Sequence, residues 1–551
     1  MGLWLWSSSP SQAGVAVDGV GSYATLTEAV AAAPLGGSTL TVDAGTLVEP
    51  GSVEIPADKT PMVIEGAGPT TVVTGPTTVV RTYGDVTLRG MTLQSAANGG
   101  VRTLDDGNLV LEDLTILLDG TGSGVVTGGD SLTMTRVTIY GVPGVTTAVY
   151  GGGVDAGGTF DPIQVTLTDV RLVDTSATYS GGGIDLDNAV FTCDRCVFER
   201  TTASTGGGIH ATDTAATIVR SRFCGTSAGT TGGAIAAVAE EDQWLESSLR
   251  NTLIAQSTAD SGGAVYVLGG VWTLVNNHFV ENTGLGAVQT LTQRAYVHLF
   301  DNLFLSNTGY AVRLGLPTAF PVMERNWMYD NGDEVWNFTD PWPGTNVVGV
   351  DPMVSGDLTD CLTAELWPTP AVSGLIDAGD PLLLDLDGTP ADVGAYGGPD
   401  AGPGVDATHP KYADGDGDGF VYLADCDDAD PTSFPSPETC DGADNDCDGA
   451  VDDADPDLEA PTWAPDCDGD GWGAGDGWVT GCAAPAGGCP FVDATADLDC
   501  DDQDPTAAAL WIAYLDADGD ELGDPASPVE ACGAEPGQVA VSYTHPEPTR
   551  P

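Results

Sequence analysis

Residues 180–187 read SGGGIDLD, a glycine run followed by a short alternation of apolar and acidic residues. The signature returns along the chain as YGGGV, TGGGI, TGGAI, SGGAV, GLGAV and GYAV. Its apolar members, at spacings of 30, 25, 26, 30, 23 and 24, are Val154, Ile184, Ile209, Ile235, Val265, Val288 and Val312. Alternation over so few residues is typical of a half-buried strand, so each signature predicts a short strand after a glycine turn.

A second repeat runs out of phase with the first and places two apolar residues five positions apart. Its first pair is Leu88 and Leu93, and later pairs begin at Leu111, Met134, Leu167, Cys193, Ile218, Leu249, Leu274, Leu299 and Met323. Two interleaved repeats on one period of about 25 residues indicate two strands per turn of a chain that winds. We therefore predict an all-β fold, a right-handed parallel β-helix of about twelve coils over residues 15–400.

The turns and the first coil of this solenoid also carry signals. Residues 25–36, TLTEAVAAAPLG, place Leu26, Ala29, Val30 and Ala33 on one face of a short helix. An open β-helix end exposes unpaired backbone, so we expect this helix to cap the first coil. Asparagines near the predicted turns suit left-handed backbone or stacked amides, namely Asn276, Asn277, Asn282, Asn302, Asn307, Asn326 and Asn331.

Three stretches resemble known β-helix families. Residues 19–55, GVGSYATLTEAVAAAPLGGSTLTVDAGTLVEPGSVEI, resemble the start of secreted bacterial proteins of the pectate-lyase-like group. The GGAI and FxxN repeats resemble those of chlamydial-type polymorphic outer-membrane proteins. Residues 373–400, SGLIDAGDPLLLDLDGTPADVGAYGGPD, are similar to the last coil of choice-of-anchor β-helix proteins. The resemblance covers about residues 15–400 and implies the fold, without a specific activity.

The net charge restricts the partners. The chain has 551 residues with 81 acidic and 16 basic side chains, a formal charge of −65. Such a field repels phosphate backbones and anionic headgroups, so we expect no nucleic-acid partner. Apolar runs stay far below the ~20 residues that a spanning helix needs, so we expect no transmembrane segment. Cations and neutral hydrogen-bonding ligands such as polysaccharides remain as partners.

The composition divides the chain into four parts. Residues 1–14 lack the basic start and the roughly 7–15 apolar residues of a secretory signal, and we interpret them as an N-terminal remnant. Residues 15–400 are the predicted β-helix. Residues 401–540 are rich in Asp and Cys. Residues 541–551, VSYTHPEPTRP, break from the preceding composition and are interpreted as a non-native tail.

Four loops in the acidic part have the spacing of a calcium site, in which alternate carboxylates converge and a glycine allows the sharp turn. One loop has Gly449 at the turn, with the carboxylates of Asp444, Asp446, Asp448, Asp452 and Asp455. Another has Gly419 at the turn, with Asp414, Asp416, Asp418, Asp425 and the Phe420 carbonyl. Oxygen-only ligation favours Ca²⁺ over copper or zinc.

The remaining two loops depart from the pattern. One offers Asp466, Asp468 and Asp470, with Asp476 one residue short of the expected spacing. The other has Glu521 where glycine is expected, with Asp516, Asp518, Asp520 and Asp524 as its carboxylates. These loops resemble thrombospondin type 3 repeats and the bacterial MopE-type metal-binding repeats. A block of like charge is otherwise a solvated or disordered segment, and that alternative stays open.

The cysteines indicate an oxidising compartment. Eight of the twelve lie in the acidic part, a segment with few apolar residues where disulfides replace core burial. We therefore predict an extracellular or cell-surface location, with export by a signal outside this chain. Connectivity is not deducible from spacing. Cys193 and Cys196 form a CxxC without thioredoxin-like surroundings, so we expect buried or disulfide-linked thiols near Cys224.

A candidate active site follows from the stacking of coils. The residue after the apolar member of each glycine signature faces outward, in the order Asp155, Asp185, His210, Ala236, Tyr266, Gln289 and Arg313. Like charges on neighbouring coils raise a carboxylate pKa and suit acid–base chemistry or cation binding. The alternative is a polar solvent face. The coils carry no Lys after Lys59, and we find no polygalacturonase motif.

Three functions remain open. The first is a secreted or surface-displayed, non-enzymatic β-helix with a calcium-stiffened, disulfide-linked acidic stalk, used in adhesion, matrix contact or glycan binding. The second is a polysaccharide lyase or glycoside hydrolase that uses Asp155, Asp185 and His210. The third is a surface metal-binding protein.

Overall fold

The computed structural model describes most of residues 13–400 and parts of residues 439–539. In the first region the described ranges are 13–95, 97–145, 148–158, 161–239, 245–292, 295–315, 322–336, 345–356, 358, 361–363, 366–369, 373–385 and 389–400. In the second they are 439–440, 442, 451–454, 458, 460–475, 477–486, 488–494, 498–505, 510–516, 523, 528–532 and 537–539. The chain divides into two compact units, Met1–Tyr412 and Ala413–Pro551.

The secondary structure of the first unit is almost entirely short strands, with one seven-residue helix among the described residues, α1 (Leu26–Ala32). Up to the middle of the unit the strands are β1 (Val15–Val17), β2 (Gly21–Tyr23), β3 (Ser38–Val42), β4 (Gly45–Val48), β5 (Val53–Ile55), β6 (Met62–Gly66), β7 (Thr71–Gly75), β8 (Val80–Thr82), β9 (Val86–Ser95), β10 (Val101–Thr103), β11 (Asn108–Leu118), β12 (Val125–Thr127), β13 (Ser131–Thr135), β14 (Thr138–Tyr140), β15 (Ala148–Tyr150), β16 (Val154–Gly157), β17 (Ile163–Thr168), β18 (Arg171–Val173), β19 (Ala177–Ser180), β20 (Ile184–Asp187), β21 (Ala189–Asp194) and β22 (Val197–Glu199).

The unit continues with β23 (Thr202–Thr205), β24 (Ile209–Thr212), β25 (Ala215–Val219), β26 (Arg222–Cys224), β27 (Ser227–Thr231), β28 (Ile235–Val238), β29 (Glu246–Arg250), β30 (Leu253–Ala255), β31 (Val265–Leu268), β32 (Gly270–Val275), β33 (His278–Val280), β34 (Gly286–Thr290), β35 (Ala295–Phe300), β36 (Leu303–Leu305), β37 (Tyr310–Arg313), β38 (Met323–Glu324), β39 (Trp327–Tyr329), β40 (Asp333–Trp336), β41 (Val347–Val348), β42 (Val354–Ser355) and β43 (Trp367–Pro368). In the second unit the strands are β44 (Thr462–Pro465), β45 (Gly473–Ala474), β46 (Val479–Thr480), β47 (Phe491–Asp493), β48 (Leu498–Asp499), β49 (Leu510–Leu515), β50 (Pro528–Cys532) and β51 (Gln538–Val539).

The first unit is a parallel β-helix of about eleven turns, which confirms the predicted all-β solenoid. Its strands form a 25-stranded sheet (sheet I), a 12-stranded sheet from β5 to β40 (sheet II) and a 4-stranded sheet of β15, β19, β23 and β27 (sheet III). Each coil from β16 onward contributes one strand to sheet II and two to sheet I, for example β20, then β21 and β22. Both sequence repeats therefore correspond to strands that stack in register.

The core consists of columns of side chains that occupy equivalent positions on successive coils. Ile184 lies between Val154 and Ile209 in sheet II, and all three side chains are buried. The five-residue pairs fill the other side of the core, where the Phe198 and Phe223 rings stack at 4.4 Å. A column of like apolar side chains buries each member against both neighbours, and this fixes the register between coils.

The glycine signature forms the turn that enters sheet II. Gly181 adopts a φ of 65°, and a Cβ on it would lie 2.3 Å from the Ile184 carbonyl oxygen and 2.5 Å from the Asp185 nitrogen. Gly151 approaches Asp155 in the same way, at 2.7 Å from its Cα. A side chain at either position would separate the turn from the strand, so glycine is required there.

Two asparagine ladders close turns of the solenoid, one between the two strands of sheet I and one after the second of these strands. Asn302 donates from Nδ2 to the Leu274 carbonyl and to Oδ1 of Asn326, both at 2.9 Å. Its own Oδ1 accepts from the backbone N–H and Nδ2 of Asn277. A parallel ladder joins Asn282, Asn307 and Asn331. The predicted amide stacking is confirmed in both ladders.

Helix α1 lies at the start of the solenoid. Thr25 caps it by accepting a hydrogen bond from the Glu28 N–H at 3.1 Å, and Leu26, Ala29 and Val30 are buried. The Glu49 carboxylate accepts from the Leu26 N–H at 2.6 Å, which satisfies a free donor of the first turn. The predicted helix is therefore present, and its role as a cap on the first coil stays a prediction.

The described residues of 351–400, here called the lateral segment, form no coil of the solenoid, although the resemblance of residues 373–400 implied a last coil. They pack sideways on the outer face of β26, β30, β33, β36 and β39 in sheet I. The Cys224–Cys361 disulfide, the Gly394 N–H to Asp301 carbonyl bond (2.8 Å) and the Asn276 Nδ2 to Asp392 carbonyl bond (2.7 Å) attach them. This packing covers an outward column of sheet I, formed by Leu253, His278, Leu303 and Trp327. Without the lateral segment, these mostly apolar side chains would be exposed to water.

The second unit has short strands and three described disulfides. Strands β44, β46 and β47 form one sheet, β49, β50 and β51 form another, and β45 pairs with β48 in parallel. The disulfides join Cys440 to Cys482, Cys467 to Cys489 and Cys500 to Cys532. Three disulfides in a unit of short strands agree with the prediction that disulfides replace a large core here.

Candidate functional site

One outward column of sheet II contains the residues that the sequence singled out. Asp155 is in register with Asp185, and Asp185 with His210. The column then continues through Ala236, Tyr266, Gln289 and Arg313, as expected. The predicted stacking of these side chains is thus confirmed, and their catalytic role stays a prediction.

A hydrogen bond joins the two central members of this column. The Nδ1 atom of His210 lies 2.8 Å from Oδ1 of Asp185, and the side chains are only 17% and 15% exposed. With Nδ1–H donating to the carboxylate, the proton of a neutral imidazole is held on Nδ1 and Nε2 carries the free lone pair. An imidazole oriented in this way can accept a proton or bind a hydroxyl group.

Asp155 is the neighbour of Asp185 in this column and lies on the preceding coil. Burial, and next the neighbouring Asp185 carboxylate, raise its pKa from 3.8 to about 6, while Arg102 acts in the opposite direction. Burial of Asp187, two residues beyond Asp185, also raises the pKa of that carboxyl. This face therefore holds two carboxyl groups with raised pKa values, and that of Asp155 is about 6.

The same column extends further towards the N-terminus than the sequence analysis placed it. Glu54, Arg81 and Arg102 stack in register, and Val126 separates Arg102 from Asp155. Arg81 forms an ion pair with Glu54 at 3.5 Å. Gly99 and Gly100 precede Val101 as glycines precede Val154, so the glycine signature was an available signal for Arg102. For Glu54 and Arg81 the available signal was the apolar–charged alternation in Val53-Glu54-Ile55 and Val80-Arg81-Thr82.

An exposed aromatic pair lies next to this face. Tyr150 and Tyr179, on β15 and β19, stack with ring centroids 5.6 Å apart and an interplanar angle of 28°. They are 47% and 58% exposed, and Val149, also on β15, is 54% exposed. Each tyrosine is followed within two residues by the glycine that lies against Asp155 or Asp185. The pair was missed because the repeats were followed through their apolar residues, although Tyr150 begins YGGGV and Tyr179 directly precedes SGGGI.

The third predicted calcium loop is a compact carboxylate cluster. Asp466, Asp468 and Asp470 each place an oxygen within 4.8 Å of the others. The loop winds around Asp466, which accepts from the Gly469 N–H at 2.7 Å and the Gly471 N–H at 3.1 Å. Two oxygens on one Ca²⁺ ion lie at most about 4.8 Å apart, twice a typical Ca–O distance, so the geometry fits this cation.

A second group overlaps the first and was not predicted. Asp468, Asp499 and Asp502 also bring oxygens within 4.8 Å of one another. Asp502 accepts from the Cys467 N–H at 2.6 Å, which joins the two loops. The distance of about thirty residues between the loops hides this arrangement from any linear spacing rule.

Most of the other predicted calcium ligands lie outside the described residues. These are Asp414, Asp416, Asp418, Phe420, Asp425, Asp444, Asp446, Asp448, Asp455, Asp476, Asp518, Asp520 and Asp524. Asp452 and Asp516 are described; Asp452 accepts from the Gly442 N–H at 3.1 Å, and the Asp516 N–H donates to the Gly537 carbonyl at 2.9 Å. Neither belongs to a metal-sized carboxylate group among the described residues.

The cysteines of the solenoid are all in disulfides. Cys193 bonds to Cys196 within one coil, and Cys224 bonds to Cys361 of the lateral segment. The expectation of buried or disulfide-linked cysteines is confirmed. In the second unit Cys532 bonds to Cys500.

Several disulfides indicate an oxidising, extracellular environment. Within the described part of the chain, no helix has the length and apolar character needed to cross a membrane. No protein-family model matches the sequence, and no curated protein matches it either.

Proposed function

We propose that this protein is an extracellular or surface-displayed, non-enzymatic β-helix that binds neutral polysaccharide, and that calcium stabilises its acidic unit. The observation that carries the binding proposal is the exposed Tyr150–Tyr179 stack beside the Asp155–Asp185–His210 column. Aromatic faces bind the C–H faces of sugar rings, and carboxylates and imidazoles bind their hydroxyls. This combination is typical of saccharide recognition.

The charge selects the class of polysaccharide. At −65 the chain repels uronic-acid and sulfated polymers at long range, so the favoured ligand is uncharged. The exposed ring surface of these tyrosines, at 47% and 58%, contributes little to folding because it stays in contact with water. A binding role accounts for both the exposure and the location.

The binding proposal is tested by affinity electrophoresis on neutral glucans, mannans and xylans. The Tyr150→Ala, Tyr179→Ala double variant should lose at least tenfold in affinity, since each sugar–ring contact contributes on the order of 1 kcal/mol. Leu285→Ala, Leu291→Ala is the matched control, because these side chains are 50% and 49% exposed elsewhere on the solenoid. Equal loss in both variants, or none in the tyrosine variant, would count against the tyrosine surface.

The calcium proposal rests on the convergence of Asp466, Asp468 and Asp470. Without a cation these carboxylates repel one another in a segment that has little apolar core. Chelation with EDTA should therefore expose the second unit to proteases while the solenoid stays resistant, and millimolar Ca²⁺ should restore the resistance. A second unit with the same cleavage rate in EDTA and in calcium would refute a stabilising role.

A polysaccharide lyase or hydrolase is the second candidate function. The raised pKa of Asp155, about 6, and the hydrogen-bonded Asp185–His210 pair on the next two coils favour it. A carboxyl group with a raised pKa beside a second carboxyl group is the arrangement that glycosidases use. Release of reducing or unsaturated ends that disappears in Asp185→Ala, His210→Ala would establish this alternative.

A further inference from the structure

Two loops of the second unit, residues 466–472 and 498–504, are held side by side by backbone pairing. Gly473 pairs with Leu498 and Ala474 with Asp499 in the parallel ladder of β45 and β48. The Cys467 N–H donates to Asp502 across the same junction. Carboxylates from two separate segments therefore meet at this junction.

In three of these carboxylates, a backbone N–H binds one oxygen and the other oxygen has no hydrogen bond within the described part of the chain. Oδ1 of Asp468 accepts from the Asp470 N–H at 3.2 Å, and Oδ1 of Asp470 from the Trp472 N–H at 2.9 Å. Oδ1 of Asp499 accepts from the Asp501 N–H at 3.0 Å. The Oδ2 atoms of Asp468, Asp470 and Asp499 are buried and have no hydrogen-bond partner among the described residues.

Asp499 is the decisive member because it is only 7% exposed. A buried carboxylate oxygen without a partner is costly unless a cation or a proton satisfies it. Lys411 and Arg550 are the only basic side chains after residue 400, so between them the sequence offers no lysine or arginine for this role. A cation from solution would supply the compensating charge.

We infer that Asp468, Asp499 and Asp502 bind a calcium ion of their own, next to the ion expected at Asp466, Asp468 and Asp470, with Asp468 shared by both. This inference rests on the proposed calcium role of the second unit. The three oxygens lie within 4.8 Å of one another, which is the spacing of ligands on one Ca²⁺ ion. The ion joins residues 466–470 to residues 498–502, so calcium connects two segments rather than stiffening one loop.

The test compares calcium binding by the full chain and by two variants, using equilibrium dialysis. Asp499→Asn, Asp502→Asn removes two charges but keeps an Oδ1 acceptor for the Asp501 and Cys467 N–H groups. Asp501→Asn is the matched control, since Asp501 lies in the same loop and belongs to neither carboxylate group. Non-reducing peptide mapping of Cys467–Cys489 and Cys500–Cys532 verifies that each variant has folded.

We expect the double variant to bind one ion fewer than the wild type, or to bind it at least about tenfold more weakly, while Asp501→Asn matches the wild type. Protease cleavage within residues 475–497 should also accelerate in the double variant at saturating Ca²⁺. If the wild type binds calcium and the double variant binds as much with equal affinity, this two-segment site is refuted and the proposed function stands. A wild type that binds no calcium refutes both.

Discussion

The imidazole of His210 and the carboxylate of Asp185 are hydrogen-bonded across adjacent coils of sheet II, with Nδ1 and Oδ1 separated by 2.8 Å. Asp155, on the opposite side of Asp185, has a carboxyl pKa raised to about 6. One strand position thus holds Asp155, Asp185 and His210 on three successive coils. This is possible because a solenoid repeats its backbone while its outward residues change from coil to coil.

The first prediction concerns the pH dependence contributed by Asp155. Its pKa is about 6 in the folded chain and near 3.8 when the chain is unfolded, so between these values the folded state holds a proton that the unfolded state releases. Stability from this group is therefore present at pH 4 and declines as the pH rises through 6. Asp155→Asn should be more stable than the wild type at pH 7 and lose that advantage at pH 4.

Thermal melting of wild type and variant at pH 4, 5.5 and 7 measures this difference. Asp161→Asn is the control, because that carboxylate is exposed on the same coil. The same melting difference at every pH for Asp155→Asn would show that Asp155 ionises normally.

The second prediction concerns His278, which the lateral segment covers. Its side chain is fully buried against Tyr396, neither ring nitrogen has a hydrogen-bond partner among the described residues, and burial together with Arg222 lowers its pKa from 6.5 to about 3. Between pH 6.5 and 3, the His278 imidazole therefore binds a proton in the unfolded chain but not in the folded chain. Stability from this group falls as the pH decreases from 6.5 towards 3.

Replacing His278 by leucine, the residue of the coils on either side, should remove this acid sensitivity. Leu253 and Leu303 occupy the equivalent positions and are buried. We expect His278→Leu to melt at a higher temperature than the wild type at pH 4.5, with a smaller gain at pH 7. His298→Leu, at a partly exposed site, serves as the control. A gain that does not depend on pH would contradict the assignment of a neutral buried imidazole.

The third prediction concerns the asparagine ladder. Asn302 is fully buried and its side chain takes part in four hydrogen bonds with Leu274, Asn277 and Asn326. Asn302→Ala leaves several buried donors and acceptors unpaired, each costing about 1–3 kcal/mol. We expect a loss of about 3 kcal/mol or more in the free energy of unfolding, measured by urea denaturation.

Asn108→Ala provides the comparison, because Asn108 is exposed even though it bonds to Asp85. Its cost should remain below about 1 kcal/mol. Similar losses at both positions would mean that the ladder contributes no more than a surface contact.

The solenoid was predictable from sequence because its contacts recur at a fixed interval. Ile184, Asp185 and Leu186 alternate between core and surface, and the same alternation on the next coil determines the partner of each residue. The repeat of about 25 residues is therefore sufficient to predict that Asp155, Asp185 and His210 stack on successive coils.

Features that do not repeat were not predictable in this way. The hydrogen bond from Asn251 to the Ala395 carbonyl joins residues 144 positions apart, and this separation does not match the repeat period of the solenoid. The Tyr150–Tyr179 stack depends on which outward residues happen to be aromatic. Asp499 and Asp502 were missed because the calcium pattern was sought within single loops, whereas β45 and β48 bring two loops together.

The central claim of this account is that the outer face beside sheet II binds a neutral polysaccharide without cleaving it. The most direct measurement incubates the full chain with neutral polysaccharides in millimolar calcium and follows both binding and the release of new chain ends. The wild type is compared with two double variants. One is Tyr150→Ala, Tyr179→Ala and the other is Asp185→Ala, His210→Ala. We predict binding without new ends, lost in the tyrosine variant and retained in large part in the Asp185, His210 variant. Chain ends that accumulate with the wild type and vanish when Asp185 and His210 are replaced would contradict the claim and make this protein an enzyme.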